Sequence, residues 1–336
     1  MSDLAKWSVR GPVRTLRTES AGWDVNREEW QPPRGFSVVV FRPDGKISES
    51  THHDSTSSFS CSQRLYDAAG ELVKIRHSMN EQPTGGAVYS YDDAGRHVRT
   101  ISVSPDGTER DFEACTYDAG GRKTKVQLLA PQEPGVTHSY RIEGTEHMCG
   151  APGATTMTVR YGPREQPAEV LFHDTDHRLV TRVVLARDDA GRLLCEELHL
   201  GEQTSIPNLP AAALLELFGP SQTFCRTTYS YNPKGLLSEQ IVRMSAVCEE
   251  RTLFRYDDLD NPSETVMERH RRELGIDEDG KMLPTSEASE KEYARFEYRY
   301  DAQGNWTERV VWSRREPNPD FQRSSVERRE ISYHSL

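Results

Sequence analysis

Tyr66-Asp67-Ala68-Ala69-Gly70 returns as Tyr91-Asp92-Asp93-Ala94-Gly95 and as Tyr117-Asp118-Ala119-Gly120-Gly121, after a weaker form at Phe41-Arg42-Pro43-Asp44-Gly45. The four aromatics stand 25, 25 and 26 residues apart, a period that points to a repeat architecture before any single strand is assigned. Asp at the first corner of a turn accepts from the backbone two residues on, and Gly at the last corner supplies the positive φ that closes a hairpin through a bulge. Each cassette therefore reads as a hairpin tip. The Tyr ahead of it ends the incoming strand, where a ring packs on the pleated surface and against its neighbour.

The cassette continues at Arg187-Asp188-Asp189-Ala190-Gly191, Tyr231-Asn232-Pro233-Lys234-Gly235, Tyr256-Asp257-Asp258-Leu259-Asp260 and Tyr300-Asp301-Ala302-Gln303-Gly304, with a degenerate copy at Tyr161. Three of these later intervals are 44 residues, long enough to hold insertions at about 130–155, 201–222 and 271–290. Runs rich in β-branched and aromatic residues flank the tips at 36–41, 71–77, 97–103, 236–244 and 306–312. Second turns at Pro105-Asp106-Gly107 and Pro83-Thr84-Gly85-Gly86 would return the chain for the next repeat, giving two strands per period. One helix is expected at 210–218, with Pro at its first position, an apolar stripe of Ala211, Leu214, Leu215 and Phe218, and Gly219-Pro220 as a stop. The expectation is an all-β chain: an N-terminal capping segment over 1–35, then a tandem β-hairpin array over 36–336. The array would form a curled antiparallel sheet of about 16 to 20 strands, edges masked by atypical ends, with one short helix in an insertion.

Of the 336 residues only 35% are hydrophobic, and the mean hydropathy is −0.75, as suits strongly curved sheets with one polar face. A net charge of −11 argues against nucleic acid as a direct partner, since phosphate binding needs clustered Lys and Arg. No apolar run serves as a signal-peptide core and no stretch of about 18 apolar residues occurs. The reading is a chain with no membrane span, cytoplasmic as written and secreted if a leader was removed. Six irregularly spaced cysteines without a Cys-x-x-Cys pair agree with reduced thiols.

The Tyr-Asp-x-x-Gly cassettes resemble the RHS/YD repeats of bacterial polymorphic toxins, insecticidal toxin complexes and teneurins, over about 36–333. The opening Gly11-Pro12-Val13 to Trp23-Asp24 and the ending Gly304-Asn305-Trp306-Thr307-Glu308-Arg309 are similar to those of small free-standing bacterial members. In large members the resemblance implies a spiralling sheet that closes into a hollow shell around a toxic cargo. This chain is too short to enclose a folded domain, and the Asp-Pro-rich self-cleavage segment is not found in it.

Catalytic residues are not assignable from the sequence. His173-Asp174-Thr175-Asp176-His177 and His52-His53-Asp54 carry metal-ligand types, yet the first falls where the period calls for a return turn, and adjacent histidines on a strand face opposite sides. Asp277-Glu278-Asp279-Gly280 reads as an acidic turn rather than a calcium loop. No metal or cofactor is expected. Rows of rings on an open sheet can grip a sugar or a peptide, and Trp306, Trp312, Tyr298 and Tyr300 are the ligand-binding candidates. The functional expectation is a non-catalytic binding or scaffolding module, holding a protein or glycan on its sheet or its inserted loops. Its rivals are a component of a bacterial toxin system, as an immunity protein or shell remnant, and a carbohydrate-active hydrolase.

Overall fold

A computed structural model describes residues 3–55, 58–129, 139–141, 148–150, 153–162, 164–201, 223–244, 248–276 and 282–335. After a 3-10 turn at Leu4–Trp7 come β1 (Val13–Asp24), β2 (Glu29–Trp30), β3 (Gly35–Phe41), β4 (Ile47–Asp54), β5 (Phe59–Tyr66), β6 (Leu72–Met79), β7 (Gln82–Tyr91) and β8 (His97–Val103). The chain continues through β9 (Glu109–Tyr117), β10 (Lys123–Leu128), β11 (Ser139–Arg141), β12 (Met148–Gly150), β13 (Thr156–Tyr161), β14 (Pro167–His173), β15 (Leu179–Arg187) and β16 (Leu193–Leu200). It ends with β17 (Thr223–Tyr231), β18 (Leu237–Met244), β19 (Cys248–Tyr256), β20 (Pro262–Ile276), β21 (Met282–Tyr300), β22 (Trp306–Arg315) and β23 (Gln322–Tyr333). Twenty-one strands join one sheet, and β11 and β12 pair only with each other. The chain divides into two compact units, one of 1–112, 256–264 and 293–336, the other of 113–255 and 265–292.

The hairpin tips form as their chemistry requires. In the turn after β7 the Gly95 N–H donates to the Asp92 carbonyl at 2.9 Å, Gly95 sits at φ +73, and Asp92 Oδ1 accepts from the N–H of Ala94 and of Arg96. Asp188, Asp257 and Asp301 bond the second and fourth residues on in the same way. Each Tyr then reaches back to the preceding tip. Tyr66, Tyr91, Tyr161 and Tyr231 donate to the carbonyls of Ile47, Leu72, Lys123 and Leu193 at 2.7 to 2.8 Å, in every case six residues after the first position of the preceding cassette. The basic residue following the glycine completes the joint: the Arg122 and Arg192 guanidinium groups pair with Asp118 and Asp188 at 2.7 Å and lie over the rings of Tyr161 and Tyr231.

Unit by unit, one sheet face is apolar. In the first, Val9, Val13, Leu16, Val39, Phe41 and Ile47 form a buried cluster on which Leu4, Trp7, Ile331 and Tyr333 pack. In the second, the cross-strand row Val159, Val170, Val183 is buried, as are Met157 and Phe172 in the adjoining row. Truncating a side chain such as Phe172 would cost about 3–5 kcal/mol. The opposite face of the same strands carries charge, with Glu169 taking Arg160 at 2.7 Å and Arg182 at 2.5 Å.

Three expectations need correction or relocation. The edges expected to be masked are instead paired: within the first unit β1 bonds β3 through Thr15–Glu19 and β23 through Val13–Gly22, so it bridges the first and last strands of the array. The physical reason is that an unpaired edge exposes a row of N–H and C=O groups, which joining the ends removes altogether. The expectation of no membrane span fails with it. It rested on the lack of a helical span, and no described helix is long and apolar enough to cross a membrane, but a sheet closed on itself is the form in which strands cross a bilayer. Third, the turn expected at Pro83-Thr84-Gly85-Gly86 lies at Asn80-Glu81, both at positive φ, and the glycines run inside β7. The helix expected at 210–218, and most of the three insertions, lie outside the described residues.

Candidate functional site

The displaced glycines create the cleft. Across β5 to β8 one row of the sheet runs Gln63, Arg76, Gly86, Val103 in direct register, and at Gly86 this row has no side chain. A Cβ at Gly86 would stand 2.2 Å from the Ile75 carbonyl oxygen, and one at Gly85 (φ +118) 2.5 Å from that of Val103, so neither position accepts anything larger than hydrogen. A register shift beside His77 and Ser78 accommodates the approach. The gap opens a cleft of about 270 Å³ bordered by the Lys74–Ser78 stretch of β6, by Gln63, Pro83, the two glycines and Val103, and by Ser104, Pro105 and Gly107 of the following turn, with a chiefly apolar lining. That turn is held by Asp106, whose Oδ1 accepts from the Thr108 N–H at 2.9 Å.

The cleft is bordered by two cations. Several strand arginines are neutralised: Arg309 by Glu327 at 2.6 Å, Arg251 by Glu239 at 2.7 Å, Arg328 by Glu308 at 3.1 Å and Arg99 by Asp111. Lys74 and Arg76 make no ion pair among the described residues. Two apart on one strand, they project from the same face with Cα atoms about 7 Å apart. Their like charges repel, and an anion held between them would relieve that repulsion. No Asp or Glu lines the cleft. The nearest carboxylate in register, Glu49, is a strand beyond Gln63 and accepts from its amide at 3.1 Å. His77 also borders the cleft, with its Nδ1 2.9 Å from the Ser62 hydroxyl.

The four rings singled out from the sequence do not form one platform. Tyr298 and Tyr300 stack at 5.8 Å, and Trp306 meets Tyr298 edge-on at 6.2 Å. Trp306 is 4% exposed and covered by the Arg329 guanidinium at 3.3 Å; burial brings the Arg329 pKa down to about 10, and its side chain donates to the Trp7 carbonyl. Tyr298 donates to the Pro262 carbonyl and Tyr300 to the Asp257 carboxylate. Burial raises the pKa of both phenols. Trp312 belongs to a separate cluster, sharing Arg323 with Trp23 and Trp30 at 4.8 to 5.9 Å.

Of the other sequence candidates, 173–177 forms a return turn, with Asp174 Oδ1 accepting from the N–H of Asp176 and Arg178. His53 is stacked between Phe36 and Phe59 at 4.3 and 5.3 Å. The acidic stretch at 277–280 lies outside the described residues. Lys74, Arg76 and the glycine gap escaped sequence reasoning. The available signal was a Gly-Gly pair inside a β pattern, which marks close backbone approach as well as a turn.

No family model matches the chain, and no curated protein matches it. Among solved structures, a porin-like protein from Bacteroides uniformis ATCC 8492 is 9% identical with a TM-score of 0.36, over 96% of this chain and 99% of that one. The TcdB2-TccC3-Cdc42 structure is 12% identical with a TM-score of 0.20 over 86% of this chain, and TcdB2-TccC3 is 14% identical with a TM-score of 0.17 over 87%. The chain spans 19% and 20% of the length of those two. At these scores the likenesses assign neither a family nor an activity.

Proposed function

We propose that the chain is a non-catalytic binding or scaffolding protein built as a YD-type repeat array, and that it holds its partner at the cleft between β6 and β8. The YD-type reading is supported by the recurrent joint in which a cassette tyrosine bonds the carbonyl six residues into the preceding tip. The single observation that carries the binding reading is that two neighbouring cations without an ion pair among the described residues, Lys74 and Arg76, stand beside a side-chain gap in the sheet. A protein partner is favoured over a glycan, because no Trp, Tyr or Phe lines the cleft to stack on a sugar.

The test is photo-cross-linking in the native host from a probe at Thr108, followed by affinity measurement with the purified partner. The Lys74→Glu/Arg76→Glu variant should lose at least about 100-fold in affinity with its melting temperature unchanged. Equal binding by both forms would remove the cleft from the reading. Failure of any partner to bind the purified full chain at micromolar concentration would end the reading itself.

A further inference from the structure

We infer that the cleft captures the free carboxylate end of a peptide whose last side chain is apolar, an assignment that rests on the binding reading above. Three features converge on that group. Lys74 and Arg76 flank the opening without a carboxylate of their own, so they supply charge-assisted donors to an incoming one. Pro83, Val103 and the bare glycine backbone give a lining that suits an aliphatic side chain and offers a sugar's hydroxyls little. The volume of about 270 Å³ lies below the roughly 300 Å³ at which drug-sized ligands begin, and matches one residue rather than several.

The alternatives fit less well. A sugar acid needs polar partners all around its ring, whereas Pro83, Gly85, Gly86, Val103 and Pro105 supply no polar side chain and Gln63 already donates to Glu49. Inorganic phosphate is best held by converging backbone N–H groups, whereas the Gly86 and Arg76 backbones are consecutive members of the sheet ladder. A terminal carboxylate with an aliphatic side chain uses both halves of the cleft at once. Carboxylate between the two cations, side chain into the glycine gap, is the arrangement inferred.

The experiment titrates the full chain by calorimetry with acetyl-Gly-Gly-Leu as the free acid, and with its terminal amide, glucuronic acid and inorganic phosphate as comparison probes. The acid should bind at least about tenfold more tightly than the amide, and the Lys74→Gln/Arg76→Gln variant should weaken it by at least about tenfold while leaving amide binding unchanged. Both positions are on the strand surface, and an unchanged melting temperature confirms that the variant is folded. The inference is overturned if the amide binds as well as the acid, if the variant binds the acid undiminished, if glucuronate or phosphate binds more tightly, or if no probe binds. A partner that docks on the wild type and is displaced by none of the probes would defeat this inference while the binding reading stood. Tight binding of the acid with no protein partner would defeat that reading and leave the carboxylate site in place.

Discussion

The residue after the fifth position of a cassette shapes how one repeat is joined to the next. Where it is Arg, as at 96, 122 and 192, its guanidinium occupies the carboxylate of the turn Asp. Where it is Asn, as at 261 and 305, the amide donates instead to the next tyrosine hydroxyl, and the freed carboxylate accepts that hydroxyl's proton: Tyr300 to Asp257, Tyr333 to Asp301. Asn305 does more, since it is 1% exposed and also exchanges bonds with both backbone groups of Arg10 at 2.6 and 2.9 Å. Asn305→Ala should therefore cost about 2–4 kcal/mol in urea unfolding, because it strands buried backbone groups as well as deleting bonds. Tyr231→Phe, which removes one phenol-to-carbonyl bond, should cost about 1 kcal/mol.

Protonation probes the same joints. A side-chain bond from Arg96 holds the Asp92 carboxyl below its ordinary range, and the Arg122 N–H does so for Asp118. A carboxyl whose pKa is lower folded than unfolded adds stability that is complete above the unfolded value near 4 and disappears as the pH falls through the folded one. Unfolding free energy should thus be level above about pH 5 and decline below about pH 4. The Asp92→Asn/Asp118→Asn variant should show a shallower decline, and an unchanged acid limb would show that these turns are not coupled to folding.

At the scale of the element, what was legible was local. Hairpin tips at 67–70, 92–95, 104–107, 118–121 and 301–304 could be read because the turn needs Asp and Gly at fixed places. Tyrosine acceptors could not, since they are backbone carbonyls 19 or 38 residues away with no side-chain signature. The cleft stayed hidden for a related reason: Lys74 and Arg76 look like solvated strand cations until the missing partners and the gap at Gly86 are seen together. Glycine substitution separates the two uses of that residue. Gly95→Ala, at φ +73 with open space around it, should cost about 1–2 kcal/mol from backbone conformation alone. Gly86→Ala, with Ile75 O 2.2 Å from the new carbon, should cost more than about 2 kcal/mol and close the cleft. Equal melting temperatures for the two variants would contradict the close approach.

For the molecule as a whole, the closure of the sheet is the feature least visible from the chain. The β1–β23 ladder joins residues such as Leu16 and Ile331, which lie at opposite ends of the sequence, and no periodicity within a repeat encodes it. Its value follows from what β1 covers. Without β1, the strand Gly35–Phe41, reading GFSVVVF, would present an unpaired apolar edge, and Gln322–Tyr333 a second edge of 12 residues. Two such edges can pair with those of another copy. Thr18→Pro removes a ladder donor from the middle of β1, where Thr18 stands between Ser37 and Arg329, and should cost about 3 kcal/mol or more. Light scattering should then detect association at micromolar concentration in a buffer where the parent chain remains a single species. A proline variant that stayed monodisperse and melted with the parent would mean that the ends of the array need not be joined.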